Sequence, residues 1–254
     1  MITAALREAA PGGAATGIPR LELAEWASRY GLVAGITTAR DGFSLALSGN
    51  EPVGAAVDRW RAFQDYFRPR FPTLVFSRQV HGTAVRWYEA PPAGWLMAEG
   101  WDGHATRDTG VLLGVSVADC VPIYLADPKS GAFALLHSGW RGTAGRILGE
   151  GAKVLAHRSG SPVSSLVIHC GISICDACYE VGSEVANALG MGVREGTKVQ
   201  LDLRSHLAEQ AWALGIREIS ISPLCSAHDV DLHSHRASGG KPGRMLAYLG
   251  RPKT

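Results

Sequence analysis

The stretch that most constrains this chain is residues 111–142, VLLGVSVADCVPIYLADPKSGAFALLHSGWRG. It holds three apolar runs, 111–117, 121–126 and 132–136, with only a few residues between successive runs. The segment Asp127-Pro128-Lys129-Ser130-Gly131 is rich in turn formers, so the last two runs read as a hairpin. Strands clustered in this way, not one per helix, argue against a doubly wound parallel sheet and for a mixed α+β domain. The same stretch places Cys120 at the end of one connection and His137 just beyond the third run. A Gly-Trp-Arg-Gly turn follows.

Elsewhere the chain alternates short strands and amphipathic helices. Helical spacing covers 21–30 and 57–67, the latter with Trp60, Phe63 and Phe67 three and four apart. Strands are expected at 32–38, 73–76, 83–88, 164–170, 216–222 and 244–249. Helices are expected at 143–157, 181–189 and 203–214. Residues 89–100, rich in Pro and Gly, read as a surface excursion. Residues 1–19, rich in Ala and Gly, read as a flexible tail ahead of a single domain over 20–254.

Composition narrows the function. Lys plus Arg number 25 and Asp plus Glu 23, a net charge of +2, and no basic run stands out, so nothing favours a nucleic-acid partner. No apolar stretch approaches the roughly 18 residues of a membrane span. Arg7 and Glu8 interrupt what would be the core of an export signal, so a cytoplasmic location is expected. Five cysteines, an odd count, then read as reduced thiols rather than a disulfide framework. No obligate protein partner is evident.

Four groups of residues could carry chemistry. His81, Cys120 and His137 each follow a strand closely and could meet at one end of a sheet. Two imidazoles and a thiolate form a catalytic zinc set with a fourth position open; two packed histidines and a buried thiol are the plain alternative. Ser138-Gly139-Trp140-Arg141-Gly142 ahead of a helix suits an anion such as phosphate, or is simply a glycine-rich turn. Cys170, Cys175 and Cys178, with Cys225, reproduce a plant-type ferredoxin spacing. The balanced charge and the apolar strand ending at Cys170 favour free thiols over a cluster, with a structural metal in second place. His228, His233 and His235 with Asp229 and Asp231 read as a polar loop, or as a second metal site.

Taken in order, these motifs resemble the YfiH family of laccase-domain, multicopper polyphenol oxidase-like proteins. The resemblance rests on Gln79-Val80-His81-Gly82, Ala118-Asp119-Cys120-Val121-Pro122, His137-Ser138-Gly139-Trp140-Arg141-Gly142-Thr143, Tyr179-Glu180-Val181-Gly182, Cys225, and Ser234-His235-Arg236 with Gly243-Arg244. Gly35-Ile36-Thr37-Thr38 resembles the family's first motif, so the likeness spans about residues 32–250. Departures fall at Gly171-Ile172-Ser173-Ile174-Cys175-Asp176, which lacks the two prolines of the family pattern, and at Ala237, where an arginine is usual.

The resemblance implies a layered α/β/α domain with a mixed sheet, akin to a deamidating toxin domain. It implies zinc on His81, Cys120 and His137, with copper as the alternative metal. The implied activity is phosphorolysis of purine nucleosides (adenosine, inosine, methylthioadenosine) together with adenosine deamination. Small-molecule substrates, nucleoside and phosphate, are the implied partners. Cys120, His137, Arg141 and Asp119 are the catalytic candidates. Gln79, Arg141, Tyr179, Glu180 and Arg236 are the substrate-binding ones. The rivals are a copper polyphenol oxidase and a thiol hydrolase with Cys120 as nucleophile and His137 as base.

Overall fold

A computed structural model describes residues 4–11, 17–46, 51–240 and 243–253. The elements in chain order are β1 (Ala4–Ala5), β2 (Arg20–Glu22), α1 (Ala24–Tyr30), β3 (Val33–Thr37), α2 (Val53–Phe67), β4 (Thr73–Arg78), β5 (Val85–Trp87), β6 (Gly94–Glu99) and β7 (Gly103–Thr106). Then come β8 (Val111–Val117), β9 (Val121–Ala126), β10 (Phe133–Ser138), α3 (Trp140–Ala144), α4 (Ile147–Ser159), β11 (Val167–Cys170) and β12 (Glu180–Gly182). The chain closes with α5 (Ser183–Ala188), β13 (Lys198–Gln200), α6 (Leu203–Ala213), β14 (Glu218–Ile221) and β15 (Met245–Arg251).

Thirteen of these strands build two large mixed sheets, and β12 and β13 form a separate antiparallel pair. One has the order β1-β14-β11-β9-β10-β7-β5 and the other β2-β3-β15-β8-β4-β6. The hairpin read from the sequence is present: β9 and β10 pair antiparallel, with Ser138 opposite Val121. The run 111–117 is not their neighbour. It is β8, in the second sheet, pairing with β15 and β4. Thus the connection 118–120 crosses between sheets and carries Cys120 at the crossing.

Period-two alternation then explains the layers. On β10, Ala134 and Leu136 pack into a core with α4 and α6 residues such as Leu148, Leu155 and Leu207. Phe133 and Leu135, on the other face, join Leu113, Val115 and Ala247 of the second sheet. On that sheet Leu112, Leu246 and Tyr248 point outward to Trp60, Phe63 and Phe67 of α2. The fold is a mixed α/β domain with helices on both outer faces, as expected, but its sheet layer is double. Alternation within two continuous apolar runs does not reveal which sheet each will join.

Three expectations are corrected. Residues 4–11 are not a loose tail: β1 pairs in parallel with β14, and Glu8 is 1% exposed. Its carboxylate accepts from Ser222 Oγ and Ile172 N and meets His169 Nε2 at 3.0 Å. Residues 1–3 and 12–16 lie outside the described residues. The excursion at 89–100 contains an edge strand, β6, parallel to β4, whose half-buried alternation was obscured by the flanking prolines. The helix expected at 143–157 is two helices, broken where Arg146 takes a left-handed backbone (φ 64°). No helix among the described residues is long and apolar enough to cross a membrane.

Candidate metal centre

Three connections at one end of the sheets bring His81, Cys120 and His137 together. His81 follows β4, Cys120 lies in the β8–β9 crossing, and His137 is the penultimate residue of β10. One ligating atom from each falls within 4.8 Å of the others. The imidazole rings meet edge to face, centroids 4.8 Å apart. His137 is buried, Cys120 half-buried and His81 exposed, so the cluster opens to solvent on one side.

The group that assembles this centre is one sequence reading did not single out, Asp102. It precedes β7 and is wholly buried. Its Oδ2 accepts from the backbone N–H of Val80 (3.2 Å) and Gly82 (2.8 Å), and its Oδ1 from that of His81 (3.0 Å). Oδ1 also lies 2.8 Å from His137 Nδ1. One carboxylate therefore holds the loop that presents His81 and fixes the ring of His137, leaving Nε2 of that ring toward Cys120. Burial works against its charge, but the hydrogen bonds from His137 and the loop N–H groups keep its carboxyl below the usual range. A single Asp before Gly has no spacing signature, which is why the sequence did not mark it.

Backbone strain and close approach mark the same place. His81 (φ 59°) and Asp119 (φ 86°) adopt left-handed conformations that cost non-glycine residues energy. A Cβ on Gly139 would stand 2.9 Å from Cys120 Sγ and 3.2 Å from His81 Cδ2, so only glycine leaves room for these side chains. Burial alone would raise the Cys120 thiol, yet His137 and His81 outweigh it and bring the thiol down to about 6. His137, in turn, is opposed by burial but raised to about 9 by Cys120 and Asp102. The residues fit a thiophilic divalent metal: a thiolate favoured at neutral pH, two imidazoles, and a carboxylate behind one of them.

The other candidates surround this cluster in different ways. Asp119 is buried, and both its oxygens are engaged, Oδ1 by Ser226 Oγ (2.6 Å) and Oδ2 by Arg236 N (2.7 Å). Gln79 is clamped to β8, donating to Ser116 O (2.9 Å) and accepting from Ser116 N (2.7 Å). Glu180 turns its carboxylate to Lys198 Nζ (2.8 Å), while its backbone oxygen accepts from Arg236 Nη1 (2.9 Å). The Arg236 guanidinium covers the Tyr179 ring at 5.1 Å, and the exposed Arg141 covers Trp140 at 4.2 Å. Tyr179 is pushed up to about 12, by burial first and then by Cys120; Arg236 and Arg141 act the other way. Tyr179 therefore sits in the electrostatic reach of the thiol and both arginines.

The ferredoxin-like spacing does not assemble. Cys170 lies in the core on β11, its thiol raised to about 12 by burial. The histidine group separates too: His233 Nε2 meets Phe43 O at 2.9 Å, and Asp231 pairs with Arg40.

Over residues 37–252 the chain matches the family described as multi-copper polyphenol oxidoreductase laccase. It is 36% identical over 186 residues to a purine nucleoside phosphorylase of Deinococcus radiodurans, 69% of each chain. It is 32% identical over 248 residues to the purine nucleoside phosphorylase YlmD of Geobacillus stearothermophilus, covering 87% of this chain and 90% of that one. The crystal structure of YlmD from that organism superposes with a TM-score of 0.83 at 29% identity, over 95% of this chain and 98% of that one. A shorter match, 46% over 90 residues and 35% of this chain, is to adenosine deaminase RL5 from an unknown prokaryotic organism.

Proposed function

The chain belongs to the laccase-like family described as multi-copper polyphenol oxidoreductase laccase, and within it we propose a zinc-dependent purine nucleoside phosphorylase that also deaminates adenosine. The observation that carries this reading is the open His81–Cys120–His137 cluster beside Arg141, Arg236 and Tyr179. The relatives named as purine nucleoside phosphorylases over most of their length support it. Zinc held by the three side chains would supply Lewis acidity to an oxygen of substrate or water.

The chain's own groups then have definite tasks. Phosphorolysis forms a bond from a phosphate oxygen to C1′ as the C1′–N bond to the purine breaks. The purine leaves with the bonding pair and needs a proton or a hydrogen bond. Arg141 and Arg236 bind the phosphate, since guanidinium pairs with phosphate oxygens through charge-assisted bonds. Tyr179, whose high pKa keeps it protonated at neutral pH, donates a hydrogen bond to the leaving base. Asp119 acts by position: it ties the loop bearing Arg236 to the residue before Cys120. Asp102 keeps both histidines in place.

Adenosine, inosine and methylthioadenosine are the proposed substrates. Purified, zinc-loaded protein incubated with adenosine should release adenine only when phosphate is present, and form inosine slowly without it. Failure to turn over any purine nucleoside overturns the proposal.

The family's description keeps a copper polyphenol oxidase as the second reading. Two histidines and one cysteine hold a single metal, whereas reduction of oxygen to water by a laccase employs several coppers. Oxygen uptake by copper-loaded protein with a phenol, absent with zinc, would favour that alternative.

A further inference from the structure

A second set of ligating side chains comes from residues beyond all three of the first cluster. Cys175, Cys178, Cys225 and His228 each place a ligating atom within 4.8 Å of the others. Cys178 Sγ lies 3.0 Å from His228 Nε2, and the backbone N–H of Cys175 reaches Cys225 Sγ at 3.3 Å. None of the four belongs to the His81–Cys120–His137 cluster, and the three thiols are free of any disulfide.

We propose that Cys175, Cys178, Cys225 and His228 bind a structural zinc ion. The ligand number is complete: three sulfurs and one nitrogen satisfy a tetrahedral ion and leave no position for substrate. The local spacing is C-x2-C in one loop and C-x2-H in the other, short turns that aim two side chains at one point. Ligands on a tetrahedral zinc lie on the order of 3.3–3.8 Å apart, from metal–ligand distances of about 2.0–2.3 Å, and the cluster, with Cys178 Sγ 3.0 Å from His228 Nε2 and every ligating atom within 4.8 Å of the others, needs shifts of only about an ångström to reach that spacing. An iron–sulfur cluster is disfavoured, because the sulfur that would complete it, Cys170, is buried in the core instead.

The ion would join two loops that have few other ties. Apart from the contacts within the cluster itself, residues 173–178 and 222–228 meet at the bridge of Ser173 with Cys225, which includes the hydrogen bond from Ser226 N to Ser173 O (3.0 Å). From there the first loop continues to Tyr179. The second carries Ser226, which donates to Asp119 beside Cys120. The second metal is thus a fastener for the wall of the first centre, and its binding does not depend on the catalytic reading.

Cobalt substitution tests this on the full-length protein. Reduced, metal-free chain is titrated with Co2+ alone, and the thiolate-to-cobalt charge-transfer band is followed. Bound metal is counted in parallel by elemental analysis. Wild type should take two ions and form four Co–S bonds, one at Cys120 and three at the second site. Cys120→Ala should keep about three quarters of the band, and Cys175→Ser/Cys178→Ser about one quarter, because the band scales with thiolate number. His228→Ala, which retains all three sulfurs, should weaken the second ion and serves if the double variant misfolds. The proposal is overturned if Cys120→Ala abolishes the band, if Cys175→Ser/Cys178→Ser leaves the band unchanged, or if purified protein contains acid-labile sulfide. A Cys175–Cys178 disulfide that persists under reductant would overturn it as well.

Discussion

Asp102 Oδ1 lies 2.8 Å from His137 Nδ1, and neither side chain is more than 3% exposed. The same carboxylate accepts three backbone N–H groups of the loop bearing His81. It is all acceptor, and everything facing it is a donor. Asp102→Asn replaces one oxygen by an NH2 group that must point at a donor, and it removes the charge behind the His137 ring. Metal affinity should fall about 10- to 100-fold, the range for loss of a carboxylate behind a ligating histidine. Competition against a chelator of known affinity measures this. An unchanged affinity would mean that Asp102 serves the loop alone.

Gly139 gives a cleaner perturbation of the same centre. Its backbone is extended, φ −81° and ψ −176°, so alanine meets no conformational penalty there. Its Cβ would nonetheless press on Cys120 Sγ and His81 Cδ2. Gly139→Ala should lower metal affinity and kcat by at least about tenfold, since small misplacements at a reacting centre are costly, while the thermal midpoint moves by only a few degrees. Equal loss of stability and activity would point to general disruption instead.

The sequence exposes the residues of these sites unequally. His81, Cys120 and His137 were legible because each sits next to an apolar run, and strand ends are where loops converge. That they meet at all depends on the β8–β9 crossing between sheets, which residue spacing does not encode. Asp102 was hidden because its role is to accept hydrogen bonds from main chain, and backbone N–H groups leave no mark in a sequence. Spacing alone groups Cys175, Cys178 and Cys225 with Cys170. The structure replaces Cys170 with His228, fifty residues from Cys178. Strand pairing of β11 buries the first cysteine, and a turn near the C-terminal end supplies the histidine. Sequence separation carries no information on either event.

Acid sensitivity should arise from His104 on β7. Its ring is wholly buried, with Nδ1 3.0 Å from Tyr88 Oη and Nε2 3.2 Å from Ser77 Oγ. Ser77 Oγ donates to Trp101 O, so it must accept from Nε2–H, and Nδ1 accepts from the tyrosine. The neutral ring is thereby satisfied and the charged one is not. Burial, then Arg86, lowers its pKa to about 3. Below about 6.5 the unfolded chain takes up a proton that the folded chain refuses until about 3. Stability from this group is therefore intact above 6.5 and is lost progressively as pH falls toward 3. At pH 5 the loss is about 2 kcal/mol relative to pH 7. Urea midpoints between pH 7 and 5 check this, and His104→Gln should flatten the slope even though it lowers stability at pH 7.

Arg141 separates phosphate binding from nucleoside binding. Its guanidinium is exposed beside the cluster and stacked on Trp140, and in the proposed reaction it meets only phosphate. A hydrogen bond to a charged group contributes about 1.5–3 kcal/mol, so Arg141→Ala should raise the KM for phosphate about 10- to 100-fold. The KM for adenosine should stay within about twofold, since the ribose and base lose no contact. Arg141→Lys should recover part of the loss, because it keeps the charge but not the two-pronged geometry. Deamination, which consumes water and no phosphate, provides the internal control: its rate should be nearly untouched in both variants. Initial rates measured against each substrate in turn decide the matter. If KM for nucleoside and phosphate rise together, or if deamination falls in step with phosphorolysis, Arg141 shapes the whole pocket and the phosphate must be held elsewhere, with Arg236 the next residue to test.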